Sequence, residues 1–248
     1  MNATRLRRGL LIGGSLLVAI AGFQRERLEI AAAYAANHIR SPRTVEARLQ
    51  EFGDAARERL QSHFSAAGVT YPGKRLTLVA FKDQRMLLLY AQRADGNWRH
   101  IHSYPVLAAS GTLGPKLREG DQQVPEGIYR VTFLNANSLY HVSLRLNYPN
   151  PFDREMALAD GRTQLGGDIM IHGKSVSIGC LAMGDAAAED LFTLAADIGA
   201  SRIQVIIAPT DLRLSATPES PVEPAWVNEL YRQLQEALTV LPIQQGAG

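Results

Sequence analysis

Five short β-rich runs follow one another between Arg75 and Leu146: RLTLVAFK, RMLLLYAQ, SYPVLAAS, GIYRVTFL and LYHVSLRL. Each is bounded by turns bearing Gly, Pro or Asn, the punctuation of strands rather than helices. Strands arriving in succession, with no helix between each pair, exclude an alternating doubly wound sheet. They predict a mainly β fold, a sandwich or barrel. A single helix interrupts the series: Asp185 is placed to cap AAAEDLFTLAADI, whose Leu191, Leu194, Ala195 and Ile198 share one face, with Gly199 closing it. RIQVIIAP is a last, fully apolar strand.

The flanks have a different texture. RERLEIAAAYAANHIR, residues 25–40, is Ala-rich and reads as helix. Ser41-Pro42 then reads as an N-cap followed by Pro at the first helical position. Behind it Val45, Leu49, Phe52, Ala56, Leu60 and Phe64 recur at helical spacing to about Ala67. After the β region a Pro-rich linker, TDLRLSATPESPVEP, leads to an amphipathic helix with Val227, Leu230, Leu234 and Leu238 on one side. The expected organisation is an N-terminal export segment over 1–23, a helical region over 24–72, the β domain over 75–209, and linker plus helix over 210–248.

The export segment rests on charge order. Arg5, Arg7 and Arg8 precede an uncharged stretch from Gly9 to Phe23, a basic region followed by an apolar one. Its fifteen residues fall short of the ~20 that span a bilayer comfortably. Ala19-Ile20-Ala21 offers a small-x-small cleavage site. Cleaved signal and retained inner-membrane anchor both remain open, and either puts the body of the protein outside the cytoplasm. The net charge of +2, with no basic run, gives no reason to expect nucleic acid.

The chain has one cysteine, Cys180, in IHGKSVSIGCLAMGD. It can form no internal disulfide and no paired-cysteine metal site, and it has no resolving thiol for a redox cycle. GKS is not the end of a phosphate loop: that motif needs four residues between its first Gly and Gly-Lys-Ser, and five separate Gly167 from Gly173. His172 ends a strand in which Ile169 and Ile171 point one way and Met170 and His172 the other. A chain leaving through Gly173 and returning through Gly179 could bring Cys180 beside His172. A nearby imidazolium would lower the pKa of the thiol and make it nucleophilic. Gly179 permits close backbone approach, and the amides of Gly179 and Cys180, with Leu181, are candidate donors to an oxyanion. On chemistry alone, a catalytic cysteine and a buried structural one are both open.

IHG, SIGC and LAM resemble the active-site signature of the L,D-transpeptidase catalytic domain, the YkuD type. That signature runs His-Gly, a variable segment, then Ser/Thr-His-Gly-Cys, a hydrophobic residue and usually Arg. LREGDQQVPEGIYRV, with Pro125 and Gly127 at a turn, is similar to a second element of the family. The resemblance covers about Arg75 to Pro209 and implies a YkuD-like β-sandwich core. It implies Cys180 as nucleophile, His172 as base, Gly173 as the carbonyl that orients the imidazole, and Ser177 and Gly179 as residues shaping the pocket. The implied chemistry is attack on the carbonyl of the L-centre of diaminopimelate in peptidoglycan stem peptides, through a thioester, without metal or organic cofactor.

Three departures bear on the outcome. Ile178 stands where the motif has His, Ala182 where it usually has Arg, and the His-to-Cys gap is short. With SGTLGPKLREGD and SLRLNYPNPFD, these resemble a branch that includes the murein L,D-endopeptidase releasing peptidoglycan-bound lipoprotein. The expectation is hydrolysis, as endopeptidase or amidase, with lipoprotein-linked peptidoglycan as a partner. Cross-link formation or protein attachment is the alternative, and a catalytically silent peptidoglycan-binding scaffold is the rival from another class.

Other polar residues have plainer readings. His141, Ser143 and Arg145 alternate with apolar neighbours and read as a solvated sheet face; if that face lines the cleft, Arg145 or Tyr148 would meet substrate carboxylates. His100 and His102 lack a third metal ligand nearby. Lys116 and Arg118 read as a solvated loop or a cationic rim. Trp98 and Trp226 read as packing residues.

Overall fold

The computed structural model describes residues 42–215 and 224–243, together with Leu28 and Ala32, both helical. The chain divides into two units, 1–42 and 43–248. The export segment, the 25–40 helix apart from Leu28 and Ala32, and residues 216–223 of the Pro-rich linker lie outside the described residues. Among those described, no helix is long and apolar enough to cross a membrane.

The second unit opens on a helical rod, α1, made of Val45–Arg48, a π turn over Leu49–Gly53, and Asp54–Ala66. Its cap is Thr44, whose side chain accepts the Ala47 amide at 3.1 Å; Pro42 lies ahead of the helix rather than at its first position. The rod buries Phe52, Ala56, Leu60 and Phe64, the stripe expected from the 3.6-residue period.

Nine strands follow in one curled sheet. They are β1 Leu76–Phe81, β2 Met86–Gln92, β3 Trp98–Pro105, β4 Ala108–Ala109, β5 Gly127–Asn135, β6 Ser143–Leu146, β7 Met170–His172, β8 Leu181–Ala182 and β9 Ile203–Ala208. The order across the sheet is β3-β2-β1-β9-β5-β6-β7-β8-β4. β5 makes the curl. Its first half, Gly127–Arg130, pairs with β9, and its second half, from Val131, pairs with β6 after a register shift between Val131 and Phe133. The expected sandwich is thus two leaves of one continuous sheet. Only β1–β9 and β7–β8 are parallel.

Helices cover both faces of the first leaf. α1 and α3 (Asp185–Ile198) pack with the inward residues of both leaves in the larger core, which holds Phe64, Leu78, Leu89, Tyr129, Leu144, Ile171 and Phe192. α4 (Val227–Thr239) lays Val227, Leu230, Tyr231, Leu234 and Leu238 against Val79, Phe81, Tyr90 and Ile206 on the opposite face. That double cover is why β1 and β9 read as near-continuous apolar runs.

Two expectations are corrected. The β region contains a second helix, α2 (Pro151–Ala159), started by a reciprocal capping box: Asn150 Oδ1 accepts the Asp153 amide and Asp153 Oδ2 accepts the Asn150 amide, both at 2.8 Å. Asp185 does not cap α3. Gly184 holds the cap position, and Asp185 instead takes the Lys174 amide at 2.9 Å and its ammonium at 3.0 Å.

Candidate active site

The second leaf assembles the site. In the β6–β7–β8 ladder Arg145 lies opposite Met170, Ser143 opposite His172, and His172 opposite Ala182. Strand alternation sends Leu144, Ile171 and Leu181 into the core and leaves Arg145, Met170 and His172 on the other face. Continued one residue back from Leu181, just outside β8, the same alternation assigns Cys180 to that face. Tyr140 packs on His172, with ring centroids 4.5 Å apart, and burial, followed by the field of Cys180, raises its pKa.

His172 is buried, and its Nδ1 lies 2.6 Å from the Gly173 carbonyl oxygen. A carbonyl only accepts, so Nδ1 carries the proton and Nε2 is the basic nitrogen of the neutral ring. Gly173 is held for lack of space. A Cβ there would stand 2.6 Å from Asp185 Oδ1 and 2.7 Å from the Tyr140 carbonyl. The Lys174–Asp185 contacts fix the start of the loop that leads to Cys180.

Ser177 folds that loop back. Its hydroxyl accepts the Cys180 amide at 3.0 Å and donates to the Cys180 carbonyl at 2.6 Å. Gly179, at φ +99°, adopts a conformation open to glycine, and its amide donates to Ser110 Oγ at 2.6 Å, while Ser110 Oγ donates to the Gln122 carbonyl at 2.7 Å. This corrects the picture of ready oxyanion donors for two of the three candidate amides: those of Gly179 and Cys180 end on serine hydroxyls, and an oxyanion must compete for them.

The thiol is also corrected. Burial pushes the Cys180 pKa up; the Met170 amide opposes this, the Asp168 carboxylate adds to it and the Lys116 ammonium opposes it. The resting group is a thiol, donating to the Asp168 carbonyl at 3.6 Å, rather than a standing thiolate. Lys116 is not a solvated residue: it is buried, bonded to the Arg118 carbonyl at 2.8 Å and paired with Asp121. Arg118 is exposed.

Arg145 is half-exposed on the site face and pairs with Asp168 at 2.9 Å. Tyr148 is not on that face. It is buried, and its hydroxyl donates to the Leu165 carbonyl at 3.2 Å, which removes it from the residues that could meet a substrate carboxylate. His141 turns away at φ +77° to meet Arg48 and Glu189. His100 bonds Ser103, and His102 stacks on His63 at 3.9 Å; burial holds both histidines below their ordinary pKa. Among the described residues no group of three His, Cys, Asp or Glu is placed to hold a metal. Trp226 packs edge-on to Phe152 and donates to Asp160; Trp98 is partly buried at the outer core.

Sequence reasoning missed Tyr140, Ser110 and Asp168. Tyr140 was hidden because strand alternation assigned it to the core, and the left-handed His141 breaks that alternation. Ser110 and Asp168 lie in segments without periodicity.

The family model of the L,D-transpeptidase catalytic domain (YkuD) matches residues 75–210. The chain belongs to this family. It is 35% identical over 162 residues to a protein of Escherichia coli K12 described as the putative L,D-transpeptidase YafK, covering 62% of this chain and 63% of that one. The chain therefore spans just under two thirds of the curated relatives it matches. Among solved structures, the helical cell shape determining protein Pgp2 of Campylobacter jejuni matches with a TM-score of 0.45 at 18% identity, over 71% of this chain and 73% of that one. L,D-transpeptidase 1 of Mycobacterium tuberculosis matches with a TM-score of 0.31 at 14% identity, over 54% and 62%. In this L,D-transpeptidase domain the matched segment holds every residue of the β6–β7–β8 site and the 110–127 loop, and leaves α1 and α4 outside it.

Proposed function

We propose that the protein is an exported cysteine acyl-transfer enzyme that acts on peptidoglycan stem peptides at diaminopimelate, with hydrolysis as its main outcome. The observation that carries this reading is the oriented imidazole: Nδ1 is tied to the Gly173 carbonyl, which makes Nε2 the basic nitrogen, and His172 lies opposite Ala182, two residues after Cys180. His172 takes the thiol proton as Sγ attacks the carbonyl on the L-centre. The tetrahedral intermediate collapses to a thioester as His172 returns the proton to the departing amine. Water, deprotonated by His172, then attacks the thioester and releases a carboxylate and the free thiol.

Hydrolysis is favoured over transfer by what surrounds the thiol. Ile178 is 68% exposed and presents an apolar side chain beside the nucleophile, and Ala182 is fully buried. Neither can anchor or deprotonate an incoming amine, and water needs no anchor. Lipoprotein-linked muropeptide is the favoured substrate, and the basic-then-apolar N-terminus is the reason to place the enzyme in the periplasm, free or held at the inner membrane.

The test is to incubate the purified protein with lipoprotein-linked muropeptides and with tetrapeptides and read the products by mass spectrometry. Free tripeptide ends are expected, and Cys180→Ala should give none while remaining folded. Cross-linked dimers as main product would replace hydrolysis by transpeptidation. Binding without turnover by the wild type would leave a scaffold.

A further inference from the structure

Asp168 stands at the junction of three unusual features. It is a non-glycine residue in the left-handed region, at φ +54°, following Gly166 (φ +75°) and Gly167 in LGGD. Its backbone carbonyl accepts the Cys180 thiol at 3.6 Å. Its side-chain carboxylate pairs with Arg145 Nη2 at 2.9 Å. One residue thus touches the nucleophile through its backbone and the exposed guanidinium of the site through its side chain. Arg145 belongs to β6 and lies opposite Met170 in β7, so the pair joins β6 to the segment leading into the strand that ends in His172.

We propose that Asp168 is a built-in carboxylate that holds the site in a resting state, and that a substrate carboxylate displaces it from Arg145. This rests on the reading of the site as one that takes carboxylate-bearing stem peptides. The ion pair is 49% and 71% exposed on its two sides, so it is weak and exchangeable. A guanidinium offers the same fork to any carboxylate, and a stem peptide supplies one without backbone strain. When the Asp168 side chain lets go, its two preceding glycines allow the segment to swing, and its carbonyl leaves the thiol. The S–H is then free to turn toward the imidazole. Binding of a substrate with the right charge and release of the nucleophile become one event. The charged or titratable groups around Cys180 are His172 from β7, Tyr140 ahead of β6, Lys116 from the 110–127 loop and Asp168 itself.

The test uses two variants and two readouts on the full chain. Asp168→Asn keeps a residue that tolerates a positive φ and removes the charge; Arg145→Gln leaves the charge and removes its partner. The first readout is the rate of Cys180 alkylation by iodoacetamide at pH 7, which needs no turnover. Release of the carbonyl predicts a several-fold faster rate in both variants. A purely electrostatic effect predicts faster alkylation in Asp168→Asn and slower in Arg145→Gln, and that pattern, or no change in Arg145→Gln, overturns the proposal. The second readout is the KM for a tetrapeptide with its free diaminopimelate carboxylate against the same peptide with that carboxylate amidated. Asp168→Asn should lower the first several-fold and leave the second alone, whereas Arg145→Gln should raise the first; equal shifts for both peptides would refute displacement. If the wild type turns over neither peptide, the KM comparison is made on lipoprotein-linked muropeptide; if that too is left intact, the proposed activity fails while the alkylation arms still decide whether Asp168 restrains the thiol.

Discussion

Gly173 shows how one missing methyl group shapes the site. Its carbonyl sets the imidazole tautomer, and its Cα is hemmed in by the Tyr140 carbonyl and the Asp185 carboxylate. Gly173→Ala has no room: the backbone carbonyl of Tyr140 cannot move without β6, so the Gly173 peptide must tilt and carry His172 with it. Displacing a base by about 1 Å costs on the order of 100-fold in rate. The expected result is a fall in kcat of about that size with KM nearly unchanged, measured on muropeptide, while circular dichroism remains that of the folded protein. A wild-type kcat would mean that the His172–Gly173 contact does not position the ring. The motif itself, His-Gly followed by Gly-Cys, was legible in the sequence. The partners that make it work, Tyr140 and Ser110, were not, because each reaches the site from a separate segment.

At the scale of elements, α2 explains why a short helix escapes a periodicity reading. Only Ala157 of its nine residues is buried, so no apolar stripe marks it. Its signal is the cap, Asn150-Pro151 followed by Asp153, which local chemistry sets rather than hydrophobic pattern. That cap has a pH signature. Burial pushes the Asp153 carboxyl up to about 6, with the Asn150 amide and the Tyr129 hydroxyl pulling the other way. A carboxyl with a raised folded pKa contributes stability that is fully present below its unfolded value and is lost as pH rises through the folded one. Wild type should therefore lose, relative to Asp153→Asn, on the order of 2 kcal/mol between pH 4 and pH 7. Urea unfolding of the two proteins at both pH values measures it, and a pH-independent difference would show that Asp153 is ionised throughout.

At the largest scale, the C-terminal helix α4 is tied to the loop that backs the Gly179–Cys180 turn. Tyr231 on α4 donates to Glu126 Oε2 at 2.9 Å; the other oxygen of Glu126 accepts the Gly114 amide at 2.7 Å and the Lys82 ammonium at 2.9 Å. Lys82 and Gln123 also bond the Gly114 carbonyl, and the neighbouring Gln122 carbonyl meets Ser110, which takes the Gly179 amide. All three side chains of the Tyr231–Glu126–Lys82 group are buried, so a lost partner leaves polar atoms without solvent. Tyr231→Phe should cost about 1–3 kcal/mol in urea unfolding. A loss below a few tenths would show that α4 is held by its apolar face alone.

The sequence by itself determined the class of fold, because alternation and turn residues are local and every strand carries its own. It also determined the α1 and α4 stripes, and it made the His172–Gly173 and Gly179–Cys180 motif legible, because His172 and Cys180 lie eight apart in one segment. Only the tertiary structure decided that the sandwich is one sheet curled through β5, since a shift between Val131 and Phe133 is a property of the pairing and not of either strand. Only it decided that Lys116 is buried, that Tyr148 faces inward, and that the oxyanion amides already have partners. Those facts depend on which distant groups arrive within about 3 Å, and hydrogen bonding at that range is set by packing across the chain rather than by neighbours along it.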